Sequence, residues 1–285
     1  MAFSAAQQRW IQIMIKTIKL PLLLRILRQF NFPRKLGVLE KLYARNLSAH
    51  GVSWVECANG VTWKLDLNDP CHRWVVNGKY EGGEGIDLAA SVLKNGGVYV
   101  DSGANIGQWL LYLGHIERLT ALAVEPVNTQ RAWLQECVDH QDHWGIDIIN
   151  SGLGSQDAEL EIQLNGARST LQMDWYTEEN FQRQTIIIRR LEDILEERNI
   201  ETVDFWKLDT EGAEFEALLG AKKYLQNHAI KHIYFECHPS NYKEIHTLLS
   251  DCNYRIYYLS NHQLQPKTDQ QLATTQDLVA IPLGA

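Results

Sequence analysis

The sequence predicts an α/β fold built on a doubly wound, mostly parallel sheet of seven strands. From residue 96 onward, short apolar segments alternate with stretches of helical periodicity, the pattern of strands joined by crossover helices. The first segment runs into a turn with two glycines, and the second ends in an acid. We predict strands at Val98–Asp101, Leu119–Val124, Ile146–Asn150, Val203–Leu208, His232–Glu236, Tyr254–Leu259 and Leu278–Ile281. We predict helices at 106–116, 128–140, 190–199, 213–226 and 241–252.

Residues 1–95 are predicted to form an N-terminal extension of helices and a β-hairpin. Helices are expected over 5–30 and around 34–48. The hairpin strands Val52–Cys57 and Val61–Leu67 flank an Asn-Gly pair, which favours a tight turn. This extension is interpreted as a cap, an oligomerisation element or a membrane-surface element.

Residues 96–285 are predicted to form the main domain, with an insertion at about 155–190. The insertion contains two further strand-like segments, Glu159–Leu164 and Thr185–Arg189. A long insertion in a compact domain is often a lid or a substrate wall. Within it, Arg168-Ser169-Thr170 is a candidate for ligand contact.

Composition excludes several classes of protein. The chain has 285 residues, 45% of them hydrophobic and 22% charged, close to a globular average. The net charge of −8 argues against nucleic-acid binding, which needs a basic surface. The five cysteines are scattered without a C-x-x-C pair, which is typical of reduced thiols in a cytoplasmic protein rather than of a zinc site.

The N-terminal segment is apolar and basic. Seven bases and no acid precede Glu40. Four of these bases interrupt the apolar stretch Trp10–Phe30, which is therefore too charged to span a membrane. No small-residue cleavage site follows it, so a signal peptide is not expected. Two interpretations remain open for residues 1–30: packing on the domain or on a partner chain, including a second copy, or peripheral contact with an anionic membrane.

The motif with the clearest chemistry is the turn after the first strand, in Gly97–Gly107. An apolar strand ends in Asp101, and Gly103, Asn105 and Gly107 follow in a turn that opens a helix. Glycine allows a ligand to approach the backbone closely. A dinucleotide site needs G-x-G-x-x-G for its pyrophosphate, whereas this motif is D-x-G-x-x-x-G. An acid at its head suits a cationic ligand without phosphates, such as S-adenosylmethionine.

Acids also end three later strands. Glu125 follows Asp101 by 24 residues, where a Rossmann-like fold places the acid that accepts both ribose hydroxyls. That pair alone also fits NAD. The segments around Asp209 and Glu211, and then Glu236 with His238, add carboxylates and an imidazole near the expected position of the cofactor sulfur.

These segments together resemble the FkbM family of S-adenosylmethionine-dependent methyltransferases. The resemblance rests on DSGANIGQW, AVEP, KLDTEGAEFEALLGA and YFECHP, in that order, within about 95–240. It implies a Rossmann-like, class I methyltransferase fold and O-methylation of a sugar, glycan or natural-product hydroxyl. It also implies that Tyr80 and Glu81 line the cofactor pocket. Ser102 departs from the family, which more often has valine or isoleucine there. The predicted cofactor-binding residues are Tyr80, Glu81, Asp101, Gly103, Asn105, Gly107, Glu125 and Asp209.

Methyl transfer to an alcohol also requires removal of the alcohol proton. His238 is the leading candidate for the general base, because an unperturbed imidazole titrates near neutrality. Asp209, Glu211 and Glu236 are predicted to orient the acceptor or to act as the base. Two alternatives remain: Mg²⁺ held by Asp209, Glu236 and His238, and a non-catalytic protein that binds S-adenosylmethionine.

Overall fold

The computed structural model describes residues 15–57, 60–142, 144–164, 182–266 and 277–284. They divide into two compact units, the first reaching to Gly83 and including Asp139–Gln141, and the second holding the remainder. The boundary predicted after residue 95 lies further along the chain than the division after Gly83, because the helix at Glu84–Leu93 belongs to the second unit. None of the helices in the described ranges has both the length and the apolar character that a membrane crossing requires.

The first unit contains a small sheet and three helices among its described residues. The sheet has the order β1-β2-β3, with β1 at Thr17–Lys19, β2 at Val52–Glu56 and β3 at Thr62–Asp66. The helices are α1 at Leu22–Leu27, α2 at Lys35–Ser48 and α3 at Pro70–Val76.

The hairpin of β2 and β3 forms in the predicted place, with turn residues 58–59 outside the described residues. The prediction of a helix across 5–30 was wrong at residues 17–19, where β1 pairs in parallel with β2. Thr17 and Lys19 are exposed and Ile18 is buried, which is the period of a strand. The pairing partner lies more than thirty residues away, so local periodicity did not indicate it.

Helix α3 is fixed by a cap and by a buried arginine. Asp69 Oδ1 accepts a hydrogen bond from Cys71 N at 2.7 Å, and Pro70 occupies the first turn, where its missing N–H is tolerated. Buried Arg73 donates from Nε to Glu40 of α2 at 2.9 Å. This contact joins α3 to α2.

The second unit contains the central sheet and a smaller one. Its strands are β4 Gly97–Ser102, β5 Leu119–Val124, β6 Ile146–Ile149, β7 Gly152–Leu153, β8 Ala158–Gln163, β9 Arg183–Arg189, β10 Phe205–Leu208, β11 Ile233–Glu236, β12 Tyr254–Ser260, β13 Gln263–Gln265 and β14 Asp277–Pro282. Its helices are α4 Glu84–Leu93, α5 Leu110–Leu113, α6 Asn128–Asp139, α7 Leu191–Glu197, α8 Glu214–Leu219, α9 Lys222–Gln226 and α10 Tyr242–Asp251.

The central sheet has the order β13-β12-β14-β11-β10-β4-β5-β6 in the described residues. The run from β11 to β6 is parallel, and β14 lies antiparallel between β11 and β12. The predicted α/β class, doubly wound and mostly parallel, is confirmed. Seven of the strands are the predicted ones, and the eighth, β13, is a short edge strand that forms a hairpin with β12.

This strand order creates a switch point. The chain leaves β4 toward β6 at one edge and returns to β10 on the other side of β4. In open α/β sheets the crevice at the carboxyl ends of such strands is where ligands bind. The carboxyl ends of β4 and β10 are therefore the place to look for a site.

Two predicted helices differ from the structure. The segment 106–116 is a turn followed by the four-residue α5. The segment 213–226 is divided into α8 and α9 at Gly220, where a Cβ would lie 2.0 Å from the Gly154 carbonyl oxygen. Close packing of two chain segments therefore sets this break, and helical periodicity does not reveal such packing.

The insertion forms a second sheet with the order β7-β9-β8. β8 and β9 pair antiparallel, close to the two predicted segments. Residues 165–181, including Arg168-Ser169-Thr170, lie outside the described residues.

Candidate active site

The turn after β4 passes close to the backbone that follows β10. Gly103 has φ of 72°, and a Cβ on it would lie 1.9 Å from the carbonyl oxygen of Asp209. Asp209 N donates to Ser102 O at 3.2 Å. Glycine is required here because the two strand ends approach each other, in addition to any approach of a ligand.

Asp101 is buried at the end of β4 and faces a lysine. Strand register pairs Asp101 with Lys207 of β10, and Lys207 Nζ lies 3.3 Å from Asp101 Oδ1. Lys207 also donates to the carbonyl oxygen of Gly103 at 2.9 Å. Burial raises the pKa of Asp101, and the lysine charge acts in the opposite direction. Asp101 thus helps to hold the lysine that supports the glycine turn.

Glu125 ends β5 and holds two backbone amides. Its Oε2 accepts from Asn105 N at 2.8 Å, and its Oε1 accepts from Val127 N at 2.8 Å. The side chain is buried, and this burial raises the pKa of Glu125 to about 7 although both amides act in the opposite direction. Glu125 fixes Asn105, whose φ of 51° is unusual outside glycine.

Glu125 fits the predicted cofactor more directly than Asp101 does. A carboxylate oxygen accepts more than one hydrogen bond, so each oxygen of Glu125 retains capacity for a ribose hydroxyl. Asp101 already interacts with Lys207 and Tyr99, and both of its oxygens are covered by protein. Direct contact between Asp101 and a ligand therefore stays a prediction. The helix expected directly after the glycine turn begins later, at Leu110.

Carboxylates converge at the ends of β10 and β11. The register of the two strands, extended by one residue, sets Asp209 opposite Glu236. Burial and the neighbouring Asp209 raise the pKa of Glu236 to about 8. Asp277 of β14 is paired with Glu236 in the antiparallel register and contributes to the same effect. This end of the site therefore favours a protonated carboxyl more than an isolated glutamate would.

The loop between β10 and α8 is organised by Glu214. Buried Glu214 Oε1 accepts from Thr210 N at 2.8 Å, Thr210 Oγ1 at 3.0 Å and Gly212 N at 3.2 Å. These bonds close a turn around Glu211, which has φ of 52°. Glu214 is thus a structural residue that positions Asp209 and Glu211.

His238 lies on an exposed turn two residues after β11. Its Nδ1 is 2.7 Å from Ser240 Oγ, and Ser240 Oγ donates to Asn241 Oδ1 at 3.0 Å. The backbone N–H of Ser240 also donates to His238 Nδ1 at 3.4 Å, so the turn holds the imidazole through Nδ1.

Comparison with known proteins assigns the family. The sequence model of the methyltransferase FkbM domain matches residues 101–256, more than half of the chain. The chain belongs to this family. Membership confirms the resemblance seen in the sequence. It also supports a methyltransferase as the class of enzyme and S-adenosylmethionine as the cofactor.

One curated relative is Methyltransferase 1 of Beauveria bassiana (strain ARSEF 2860), 30% identical over 142 residues. The alignment covers 42% of this chain and 57% of that protein, so the chain spans little more than half of the relative's length.

Solved structures with similar folds include a putative methyltransferase from Streptococcus mutans in complex with SAH. It is 13% identical, with coverage of 69% of this chain and 93% of that chain and a TM-score of 0.40. Another is precorrin-6y C5,15-methyltransferase from Geobacter metallireducens GS-15, with 8% identity, coverage of 70% and 89%, and a TM-score of 0.41.

Tyr80 and Glu81 precede the residues that match the FkbM domain and belong to the first unit. Glu81 forms an ion pair with buried Arg28 of the same unit. Lys79 Nζ lies 4.3 Å from the ring centroid of Trp74 and 5.4 Å from that of Tyr80. The role of Tyr80 and Glu81 in the cofactor pocket stays a prediction, and Glu81 has a structural partner within its own unit.

The sequence analysis missed three site residues of the domain: Lys207, Tyr234 and Asp277. Lys207 carried a signal, since a lysine inside an otherwise fully buried strand requires a charged partner. Tyr234 also carried a signal, since it shares a strand face with Glu236 two residues later, whereas Asp277 carried none because its proximity to Glu236 depends on strand register. Burial and Asp277 raise the pKa of the Tyr234 hydroxyl.

Ser102, the departure from the family pattern, has a local explanation. Its hydroxyl accepts from buried Trp206 Nε1 at 2.8 Å. Valine or isoleucine would leave this indole N–H without its partner.

No group of three or more His, Cys, Asp or Glu side chains in the described ranges is arranged to hold a metal ion. The magnesium alternative thus gains no support from the positions of Asp209, Glu236 and His238.

Proposed function

We propose that this chain is an S-adenosylmethionine-dependent O-methyltransferase that acts on a hydroxyl of a sugar, a glycan or a natural product. The main support is the convergence of Glu125 and the glycine turn with the acidic ends of β10 and β11 at one switch point of the sheet. One side of this crevice suits the cofactor. The other side suits an acceptor that must lose a proton.

The glycine turn and Glu125 would hold the cofactor, with Asn105 fixed by Glu125. When bound, the cofactor would supply a methyl group activated by its sulfonium; the acceptor oxygen would bond to the methyl carbon, and S-adenosylhomocysteine would leave with the electrons of the C–S bond. The protein's part is to align the acceptor, and well-oriented reactions gain roughly 7–11 kcal/mol in this way. Asp209 and Glu211 would accept hydrogen bonds from the acceptor, because the Glu214 network presents them at the strand end.

His238 would take the acceptor proton on its imidazole. Its contacts with Ser240 hold the ring in place. Glu236 is the rival base, because its pKa of about 8 keeps it near the point of proton exchange at neutral pH. A neutral Glu236 also donates a hydrogen bond, and in that state it would orient the acceptor or Asp209.

The test combines binding with turnover. Calorimetry with S-adenosylmethionine should show binding to the full chain. A labelled methyl group should then appear on at least one compound of a panel of glycans and hydroxylated natural products. An arm with EDTA separates the metal-assisted alternative, in which turnover stops. Absence of cofactor binding would refute the proposal. Binding without transfer to any hydroxyl, amine or carboxylate would favour the non-catalytic alternative.

A further inference from the structure

Helix α1 presents apolar side chains to solvent. Leu22, Leu23, Ile26 and Phe30 are between 46% and 71% exposed. The opposite side of the helix is buried through Leu24. Leu22 and Ile26 are four residues apart, so they lie one above the other on the same face. Large apolar side chains grouped in this way on a surface are typical of an interaction site.

Helix α2 has a second exposed face of mixed character. Val38 and Leu42, also four residues apart, are exposed, and Lys41 and Arg45 are exposed on the same side of the helix. Leu39 and Leu47 form the buried side. This face therefore combines aliphatic side chains with long basic ones.

Side-chain hydrogen bonds attach both helices to the end of α3 and the turn that follows it. Arg28, just after α1, donates to Val75 O at 3.1 Å, and Lys35, the first residue of α2, donates to Gly78 O at 2.8 Å. These two bases point into the unit. The remaining bases of the segment are exposed, namely Lys16, Lys19, Arg25, Arg34, Lys41 and Arg45.

The charge of this surface has one sign. Between residues 15 and 48 the sequence contains one acid, Glu40, and Arg73 already binds it. Of the exposed bases, Lys19 has an ion pair with Glu56 at 3.2 Å. The chain as a whole carries −8, so this surface is positive against an acidic background. Its partner should therefore be negative and should accept apolar side chains.

We propose that this surface binds an anionic lipid bilayer. We call it the basic apolar face and define it by Leu22, Leu23, Arg25, Ile26, Phe30, Val38, Lys41, Leu42 and Arg45. The apolar side chains would enter the boundary between headgroups and acyl chains, and the bases would contact anionic headgroups, as in interfacial amphipathic helices. A second copy fits this face less well, because a two-fold interface brings together the same patch of both copies and therefore two surfaces of like charge.

The experiment measures sedimentation of the full chain with vesicles. One set contains phosphatidylcholine alone, and the other contains phosphatidylcholine with phosphatidylglycerol. We expect binding to the anionic set only. Raising the salt from about 0.1 M to about 1 M shortens the Debye length from about 10 Å to about 3 Å and should release the protein.

Paired variants separate the two components of the face. Leu22→Gln with Ile26→Gln should lower the partition coefficient by about tenfold or more, since aliphatic surface no longer leaves water. Lys41→Glu with Arg45→Glu should lower it by roughly 25-fold or more, because each base near an anionic surface contributes about 1 kcal/mol, or about fivefold. The matched controls in the second unit are Leu160→Gln with Ile187→Gln, also exposed aliphatics, and Lys243→Glu.

The controls should bind as the wild type does, and all variants should keep its melting temperature because the altered side chains are exposed. Several results would overturn the proposal: no binding to anionic vesicles, equal binding to neutral ones, or full binding by the Leu22/Ile26 variant. A concentration-dependent dimer in sedimentation velocity that the same variant dissolves would instead assign the face to a second copy. None of these results depends on methyl transfer.

Discussion

The two halves of the candidate site are both acidic, yet their acids are held in opposite ways. At the ends of β4 and β5, Asp101 and Glu125 are buried, and each has a partner that favours its charged form: a lysine for Asp101 and two backbone amides for Glu125. At the ends of β10 and β11, Asp209 and Glu236 are partly exposed and face each other. The first half is a buried frame of acids with fixed partners, and the second half places two partly exposed acids side by side.

This difference matches the two tasks of a methyltransferase. A cofactor of constant shape is bound best by rigid groups whose hydrogen bonds are already oriented. An acceptor must lose a proton during the reaction, so the groups around it need pKa values near the working pH. The raised pKa of Glu236 and the exposed imidazole of His238 belong to this second half.

The largest effect is expected from a substitution in the acceptor half of the site, at the ends of β10 and β11. His238→Ala should lower kcat by about 10²–10⁴, the usual contribution of a general base. Cofactor affinity should stay near the wild-type value, because the imidazole belongs to the half opposite Glu125. The measurement is kcat as a function of pH with the acceptor found in the screen, together with calorimetry.

Glu236→Gln provides the contrast to His238→Ala. If His238 is the base, the rise of kcat with pH disappears in His238→Ala and persists in Glu236→Gln. A rise centred near pH 8 that survives in His238→Ala but disappears in Glu236→Gln would assign the proton to Glu236 instead.

A smaller effect is expected in the cofactor half. Asp101→Ala and Glu125→Ala should each weaken S-adenosylmethionine binding by about tenfold or more, since hydrogen bonds and ion pairs of charged groups contribute about 1.5–3 kcal/mol. Asp101→Ala removes one of the two carboxylates that lie beside Lys207, and Glu125→Ala releases Asn105 and Val127. Calorimetry measures the affinity.

Asp204→Ala is the matched control for these two variants. Asp204 Oδ2 accepts from Val98 N at 2.8 Å, at the opposite end of β4. Its loss should lower stability while cofactor affinity stays at the wild-type level. Equal losses of affinity in all three variants would mean that general loosening of the sheet, and not the carboxyl-end frame, controls binding.

Another prediction concerns stability as a function of pH. Glu125 and Glu236 have native pKa values of about 7 and about 8, above the ordinary value of 4.5. Between about pH 4.5 and about pH 8 the native state therefore binds more protons than the unfolded state, so the free energy of unfolding should fall as pH rises. Urea denaturation across this range measures the slope.

Glu125→Gln and Glu236→Gln should each flatten that slope, because the neutral amide does not titrate. Glu125→Gln should flatten it up to about pH 7, and Glu236→Gln up to about pH 8. A slope that stays unchanged in both variants would show that neither carboxyl holds a proton in the native state.

Sequence reasoning reached the second unit more successfully than the first. The alternation of apolar and helical segments predicted seven of the eight described strands of the central sheet. Parallel strands that are buried on both faces appear in the sequence as short apolar runs. In the first unit, β1 was mistaken for helix because three residues carry too little periodicity to identify a strand without its partner. The six-residue α1 was included in the predicted helical region, but its solvent-exposed apolar face was not visible in composition.

The sequence by itself determined the fold class, the family and the carboxyl-end acids, since strand ends and glycine turns are local patterns. Tertiary structure decided how each acid behaves. Cross-strand register paired Asp101 with Lys207 and set Asp277 beside Glu236, and such pairings join residues far apart in the chain. The acids look alike in the sequence, but their pKa values and partners depend on burial and on neighbouring charges, which exist only once the strands are assembled.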